Sequence, residues 1–240
     1  MRIFVINPNT SQSVTEHLRR ELEKVKRPDT ELTVVNPKHG PVSIESVYDE
    51  ALATPPTLEL VRHANEEGYD VIVLACFSDP GLDAAKEISK IPVIGIEEAT
   101  LHVAAMLGHK FSITTTGRNR APTREIHARL RNVETAYASA LVMDMPVLEM
   151  DAHPEKAKAR ILELAREAIE EEGTEVVILG CAGLAGYSED LERELGIVVL
   201  DPSSVGLKVA EAIVDLGLAH SKVARFAFPP EKEIKSTTPS

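Results

Sequence analysis

The chain has 240 residues, 43% of them hydrophobic, with 38 acidic against 26 basic side chains and a formal charge of −12. That length and apolar share can bury one large core or two modest ones, which excludes the disordered and fibrous classes. The acidic balance repels polyanions, and no basic stripe interleaved with aromatics occurs, so nucleic acid is excluded as a partner; no apolar run approaches the roughly 20 residues of a membrane span.

The start, Arg2 followed by "IFVI" and "NPNT", lacks a secretory layout, so a cytoplasmic location is expected. Residues 3–6 read as a strand, 11–26 as an amphipathic helix capped by Ser11, and 32–35 as a second strand. A helix over 57–67 capped by Thr57 follows, then strands at 71–75 and 92–96 and a helix over 97–107. The second half repeats the alternation, with strands at 111–114, 176–179 and 197–200 and helices over 123–131, 153–172 and 203–216, the last capped by Ser203. Continuous apolar strands alternating with helices predict parallel sheets covered on both faces, hence an α/β fold.

An internal repeat sharpens this. Laying Asp70 on Glu175 without a gap sets "DVIVLAC" on "EVVILGC" and Val93 and Ile94 on Val198 and Val199, while "RIFVINPN" is echoed by "KFSITTTG". Two pseudo-symmetric, flavodoxin-like α/β domains are expected: residues 1–96, completed by a C-terminal helix over 205–225, and residues 97–204, with 229–240 a polar tail. Open parallel sheets bind ligands at the carboxyl ends of their strands. Four loops occupy those ends, "NPNT" at 7–10, "CFSDPG" at 76–81, "TTTG" at 114–117 and "GCAGLAG" at 180–186. If the halves face each other, the loops share one cleft, with Cys76 on one wall and Cys181 on the other.

These are the chain's two cysteines, and without an export signal or zinc-like spacing they read as thiols outside any disulfide. Each alone is ordinarily a small apolar residue after a strand. As a matched pair they fit two-base proton transfer, one thiolate removing a proton from a carbon and one thiol returning a proton to its other face. Backbone N–H groups starting the turns after each cysteine are expected to lower the thiol pKa. Backbone N–H groups around "FSD" and "CAGL", with Asn7, Thr115 and Thr116, are candidate donors to a developing enolate. Asn7 and the threonines also have plain readings as turn and strand-end residues, Asp79 and Asp201 as turn or cap residues, and "EEATLHVAAML" as core packing. No Gly-rich dinucleotide or P-loop motif and no metal-ligand spacing is present, so no cofactor and no metal are expected.

"INPNT" at 6–10, "GPVSIE" at 40–45 with "YDEA" after it, "ACFSDPG" at 75–81, "GCAGL" at 180–184 and "VLDP" at 199–202 resemble the hydantoin racemase branch of the aspartate/glutamate racemase superfamily, in the family's order. The resemblance implies a cofactor-independent racemase of 5-substituted hydantoins or allantoin. It implies Cys76 and Cys181 as the two bases, with Asn7, Ile44, Phe77, Ser78, Thr115, Thr116, Ala182 and Gly183 around a cyclic ureide, and a homo-oligomer. The amino-acid racemases of the superfamily carry "CNT" and "GCTE" where this chain has "CFS" and "CAG". Ser78 stands where the family commonly has glycine and Leu184 where it has methionine, so substrates with small substituents are expected. Other enol chemistry of the superfamily (aspartate/glutamate-type racemisation, decarboxylation, cis-trans isomerisation) is an alternative, as is a non-enzymatic two-lobed binder with inert thiols.

Overall fold

A computed structural model describes residues 1–232. The first half contains β1 (Arg2–Ile6), α1 (Gln12–Val25), β2 (Glu31–Val35), α2 (Val47–Glu66), β3 (Val71–Leu74), α3 (Leu82–Ile88), β4 (Val93–Gly95) and α4 (Ile96–Leu107). The second contains β5 (Phe111–Thr115), α5 (Ala121–Leu130), β6 (Tyr137–Val142), α6 (Val147–Ala152), α7 (Pro154–Glu172), β7 (Val176–Ile178), α8 (Ser188–Leu195) and β8 (Val198–Leu200), and α9 (Pro202–Asp215) closes the order.

The strands form two all-parallel sheets, β2-β1-β3-β4 and β6-β5-β7-β8, so the second repeats the first strand for strand. This is the α/β class with two like parallel sheets that the repeat predicts. Side chains alternate across each sheet with a period of two. Ile3, Val5, Val71 and Val73 meet Leu18 and Leu22 of α1 and Leu207 and Ala210 of α9 on one face of the first sheet. Phe4, Ile6, Ile72 and Leu74 meet Val61 of α2 and Leu82 of α3 on the other. In the second sheet Phe111, Ile113, Val176 and Ile178 pack on Leu101 and Ala104 of α4 and Ala128 of α5, while Val177 and Leu179 pack on Ile161 and Ala165 of α7. Each such fully buried aliphatic side chain contributes roughly 1.5–3 kcal/mol by leaving water. α4 joins the two cores, because Ile96 and Ala99 at its start belong to the first.

Several elements differ from the reading of the sequence, for physical reasons. Thr57 is no cap. α2 begins ten residues earlier at Val47, where Ser46 Oγ accepts from Asp49 N (3.1 Å) and donates to the Asp49 carboxylate (2.7 Å). Pro55 and Pro56 lie inside it and withhold donors from the carbonyls of Ala51 and Leu52, but both residues are exposed, so water meets those groups. The Thr57 hydroxyl donates to Ala53 O at 2.8 Å within the helix. Ser203 is not the cap of α9 either: Asp201 accepts from Ser203 N (2.9 Å) and from Ser204 Oγ (2.7 Å). Ser11 caps α1, its hydroxyl accepting from Val14 N. β6 gives no sequence signal because its "YASALV" is an edge strand of small, half-buried residues, and the short helices α3, α6 and α8 fall below the length at which periodicity can be read. Residues 233–240 of the expected polar tail lie outside the described residues.

Candidate active site

A strand order of 2-1-3-4 reverses direction between β1 and β3, and the matching point in the second sheet lies between β5 and β7. Crevices open at such switch points. Asn7 follows β1, Cys76 ends the turn out of β3, Thr116 follows β5 and Cys181 leaves β7. Backbone bonds continue the ladders into these loops, Ala75 N donating to Ile6 O at 2.8 Å and Leu179 N to Leu200 O at 3.0 Å. After Cys76 the chain turns at once, Ser78 N and Asp79 N both donating to the Cys76 carbonyl at 2.9 and 3.0 Å. After Cys181, Leu184 N donates to the Cys181 carbonyl at 3.0 Å. The two cysteines therefore sit at equivalent points of the two halves.

They also line one cavity. Its wall includes Asn7, Ile44, Cys76, Phe77, Ser78, Thr116, Cys181, Ala182 and Gly183, so all the sequence-predicted positions meet there except Thr115. Thr115 is buried in β5, and its hydroxyl has no partner among the described residues. Asn9, Val14, Ala75, Arg120, Arg124, Val147 and Gly180 complete the wall. Of these the two arginines change the chemistry. They stand four residues apart directly behind the "TTTG" loop, Arg120 in the turn before α5 and Arg124 in its first turns, and the reading of the sequence did not single them out. Arg120 is buried and donates through Nη2 to the Glu50 carboxylate. Arg124 is buried and donates through Nη1 to Phe77 O at 2.6 Å and Glu97 Oε1 at 2.8 Å, its guanidinium 5.0 Å above the Phe77 ring. His127 Nδ1 lies 2.6 Å from the other Glu97 oxygen. Each cation at the wall is thus matched by a carboxylate behind it.

Asn7 is mostly committed to the scaffold: its amide nitrogen donates to Asn9 Oδ1 and to Thr15 Oγ1, each at 3.0 Å. Both of its N–H groups are taken, which corrects the expectation that Asn7 supplies a donor to an enolate. Asp79 is strained at a φ of 45° and reaches back to cap α4, accepting from Glu97 N at 3.1 Å and Glu98 N at 2.8 Å. A Cβ on Gly95 would stand 2.2 Å from that carboxylate, so glycine is required where the strand passes it. Burial, with the Glu97 charge, holds the Asp79 carboxyl well above its usual range.

The thiol electrostatics also differ from expectation. Burial pushes Cys76 up to about 12; the Ser78 hydroxyl, 3.6 Å from the sulfur, pulls it down, and a negative charge on Cys181 raises it further. The lowering expected of this thiol is not found, because desolvation is the largest cause acting on it. Cys76 rests as a thiol, and a negative charge on Cys181 makes its ionisation harder still. The cavity measures about 40 Å³, small beside the roughly 300–1,000 Å³ of ordinary ligand pockets.

Two like parallel sheets whose equivalent strand ends meet at one thiol-lined cavity define the class, an α/β isomerase of the racemase kind. The chain belongs to the Asp/Glu/Hydantoin racemase family, whose sequence model matches residues 3–210. It is 38% identical to the hydantoin racemase of Pseudomonas sp. (strain NS671) over 97% of this chain and 94% of that protein. Among solved structures it is similar to allantoin racemase from Klebsiella pneumoniae, with a TM-score of 0.95 and 39% identity over 99% of this chain and 97% of that one. Allantoin racemase from Pseudomonas fluorescens gives a TM-score of 0.94 and 33% identity over 98% of this chain and 100% of the other.

Proposed function

We propose that this racemase inverts the stereocentre of a cyclic ureide, a 5-substituted hydantoin or allantoin, with Cys76 and Cys181 as the two proton-transfer groups. The observation that carries the reading is the meeting of two thiols from equivalent strand ends at one cavity whose charged lining is confined to two paired arginines. No carboxylate lines it among the described residues, so the ammonium group of a free amino acid would meet no counter-charge, whereas a neutral ureide needs none. The names of the similar racemases support the same substrate class.

In the proposed step one cysteine, as thiolate, takes the proton from the carbon next to the ring carbonyl, and the C–H electron pair passes into an enolate. The other cysteine, as thiol, delivers its proton to the opposite face of that carbon, leaving the roles of the two sulfurs exchanged for the return reaction. Burial favours the protonated form of Cys76, which suits it to the donor role. A thiolate whose conjugate acid is this weak is in turn a strong base toward a carbon acid when the direction reverses. Ile44, Phe77, Ser78, Thr116, Ala182 and Gly183 shape the pocket around the ring. The same reading divides the chain near residue 96, places the protein in the cytoplasm and makes it a homo-oligomer. Val47, Tyr48 and Leu52 of α2, exposed by 66, 72 and 46%, offer apolar surface to a second copy.

Hydrogen exchange in deuterated water tests the mechanism. Cys76→Ser and Cys181→Ser are each expected to lose racemisation, while each still exchanges the α-hydrogen of one enantiomer, and the two variants choose opposite enantiomers. Serine keeps the shape but is far too weak an acid to stand in for a thiol. Full racemisation by either variant would show that the missing cysteine is structural.

A further inference from the structure

Arg124 makes two kinds of contact with unequal use of its five donors. Nη1 is spent on Phe77 O and Glu97 Oε1. The opposite edge, Nε and Nη2, donates to nothing among the described residues, and Nε is fully buried. Leaving a buried donor without an acceptor costs about 1–3 kcal/mol, more for a charged group, so such an edge marks a place where an acceptor arrives. Arg124 is only 4% exposed and lines the cavity beside Cys76 and Phe77. Its position is held on three sides, by Glu97, by the Phe77 carbonyl and by the Phe77 ring beneath it. An arginine this constrained presents its unused N–H groups as a fixed fork suited to oxygen acceptors.

We propose that the Nε–Nη2 edge of Arg124 binds the substrate carbonyl adjacent to the reacting carbon and stabilises the negative charge that develops there in the enolate. This rests on the cyclic-ureide reading and supplies the donor that Asn7, with both amide hydrogens engaged, does not. Pairing with Glu97 makes the arginine nearly neutral to a resting ureide, while its hydrogen bonds strengthen as the oxygen becomes anionic, so the contact acts mainly in the transition state. Nη1 meanwhile ties the Phe77 carbonyl, in the turn that follows Cys76, to the same guanidinium, which steadies the loop carrying the thiol. Removal of the proton and stabilisation of the resulting charge are therefore coupled through one side chain.

The test compares α-hydrogen exchange of single enantiomers of 5-methylhydantoin and 5-methyl-4-thiohydantoin in deuterated water, each rate divided by its uncatalysed rate. Sulfur at position 4 is a poorer acceptor, so the wild-type protein should favour the oxo substrate. Arg124→Gln should lower kcat for the oxo substrate by ~10²–10³, with a smaller loss for the thio substrate, so that the preference shrinks at least tenfold. Should Glu97, left unpaired, prevent Arg124→Gln from folding, Arg124→Lys keeps the charge beside Glu97 but not the fork, and the same contraction of the ratio is expected. Equal losses on both substrates would overturn the proposal and leave Arg124 as a brace for the Phe77 loop. A wild-type protein that exchanges neither these hydantoins nor allantoin would overturn the ureide reading itself, and this inference with it.

Discussion

Cys76 has an ordinary neighbour on one side and a polar one on the other, Ala75 and the Ser78 hydroxyl, yet its acidity is set by burial. Its folded-state pKa is raised above the usual thiol value of ~8.5. The sign follows: stability linked to this thiol is intact below the unfolded value and is lost as the pH climbs from there toward about 12. The same shift governs reactivity, since only the thiolate attacks an alkylating agent. At pH 7.5 iodoacetamide should modify Cys76 ~10²–10³-fold more slowly than an exposed cysteine, with a rate that keeps rising past pH 9. Peptide mass spectrometry reads Cys76 separately from Cys181, and a plateau near pH 8–9 would contradict the shift. Ser78→Ala should slow the reaction further, because the hydroxyl is the one contact that pulls the thiol down.

Between β5 and β7 the loop that carries Cys181 depends on one missing side chain. Gly180 N donates to Thr114 Oγ1 at 2.8 Å, and a Cβ on Gly180 would stand 1.9 Å from the Thr114 carbonyl oxygen. Gly180→Ala must push the strand ends apart. A loss of about 1–3 kcal/mol is expected from such overpacking, along with a fall in kcat of ~10²-fold because Cys181 moves with the loop. Gly196→Ala, at a φ of +69° with nothing within 4 Å, is the control: backbone strain without displacement, hence a lower melting temperature at unchanged kcat. Equal kcat in the two variants would remove the argument. The strand-end loops were legible in the sequence because the repeat is carried by buried strands, where period and apolar run leave few alternatives. β6 and the start of α2 were not, since an edge of "YASALV" has little apolar signal and a Pro-Pro pair reads as a break unless its carbonyls are known to face water. Arg120 and Arg124 were missed for a related reason: sequence shows charges at and before the start of a helix, and only the packing shows that Arg120, just before α5, and Arg124 within it turn inward onto Glu50 and Glu97.

At the scale of the whole molecule β1 and α9, the first strand and the last described helix, meet on the first sheet. α9 packs beside α4 and α1 over β3 and β4, and residues beyond it continue along α3, the helix that follows the Cys76 loop. Lys222 donates to the carbonyls of Lys86 and Glu87, and Arg225 pairs with Asp83. His220 does something more specific. β4 is an edge strand; Ile72 N donates to Pro92 O across the ladder, so Val93 N and O face outward, where His220 Nε2 lies 2.8 Å from the nitrogen and 3.1 Å from the oxygen; in the neutral ring with the proton on Nδ1 it accepts from Val93 N. An accepting nitrogen carries no proton, so this contact needs the neutral ring. Burial, with Lys86 and Lys222 nearby, holds the His220 pKa below its ordinary value, against the Val93 backbone contact and a weaker pull from Glu98, which both raise it. A lowered histidine contributes stability that is present above about pH 6.5 and lost as the pH falls through the folded value. His220→Ala should therefore lower Tm by roughly 2–4 °C at pH 7.5, as expected for the net loss of about 1 kcal/mol from one hydrogen bond in a chain of this size. The gap between variant and wild type should narrow at pH 5, where the wild-type ring must either give up the hydrogen bond from Val93 N or refuse a proton that the unfolded chain accepts. Paired thermal melts at the two pH values decide it: a gap of constant size would mean that His220 holds the edge by packing on Phe226 alone, 5.7 Å away, rather than by accepting the Val93 hydrogen bond.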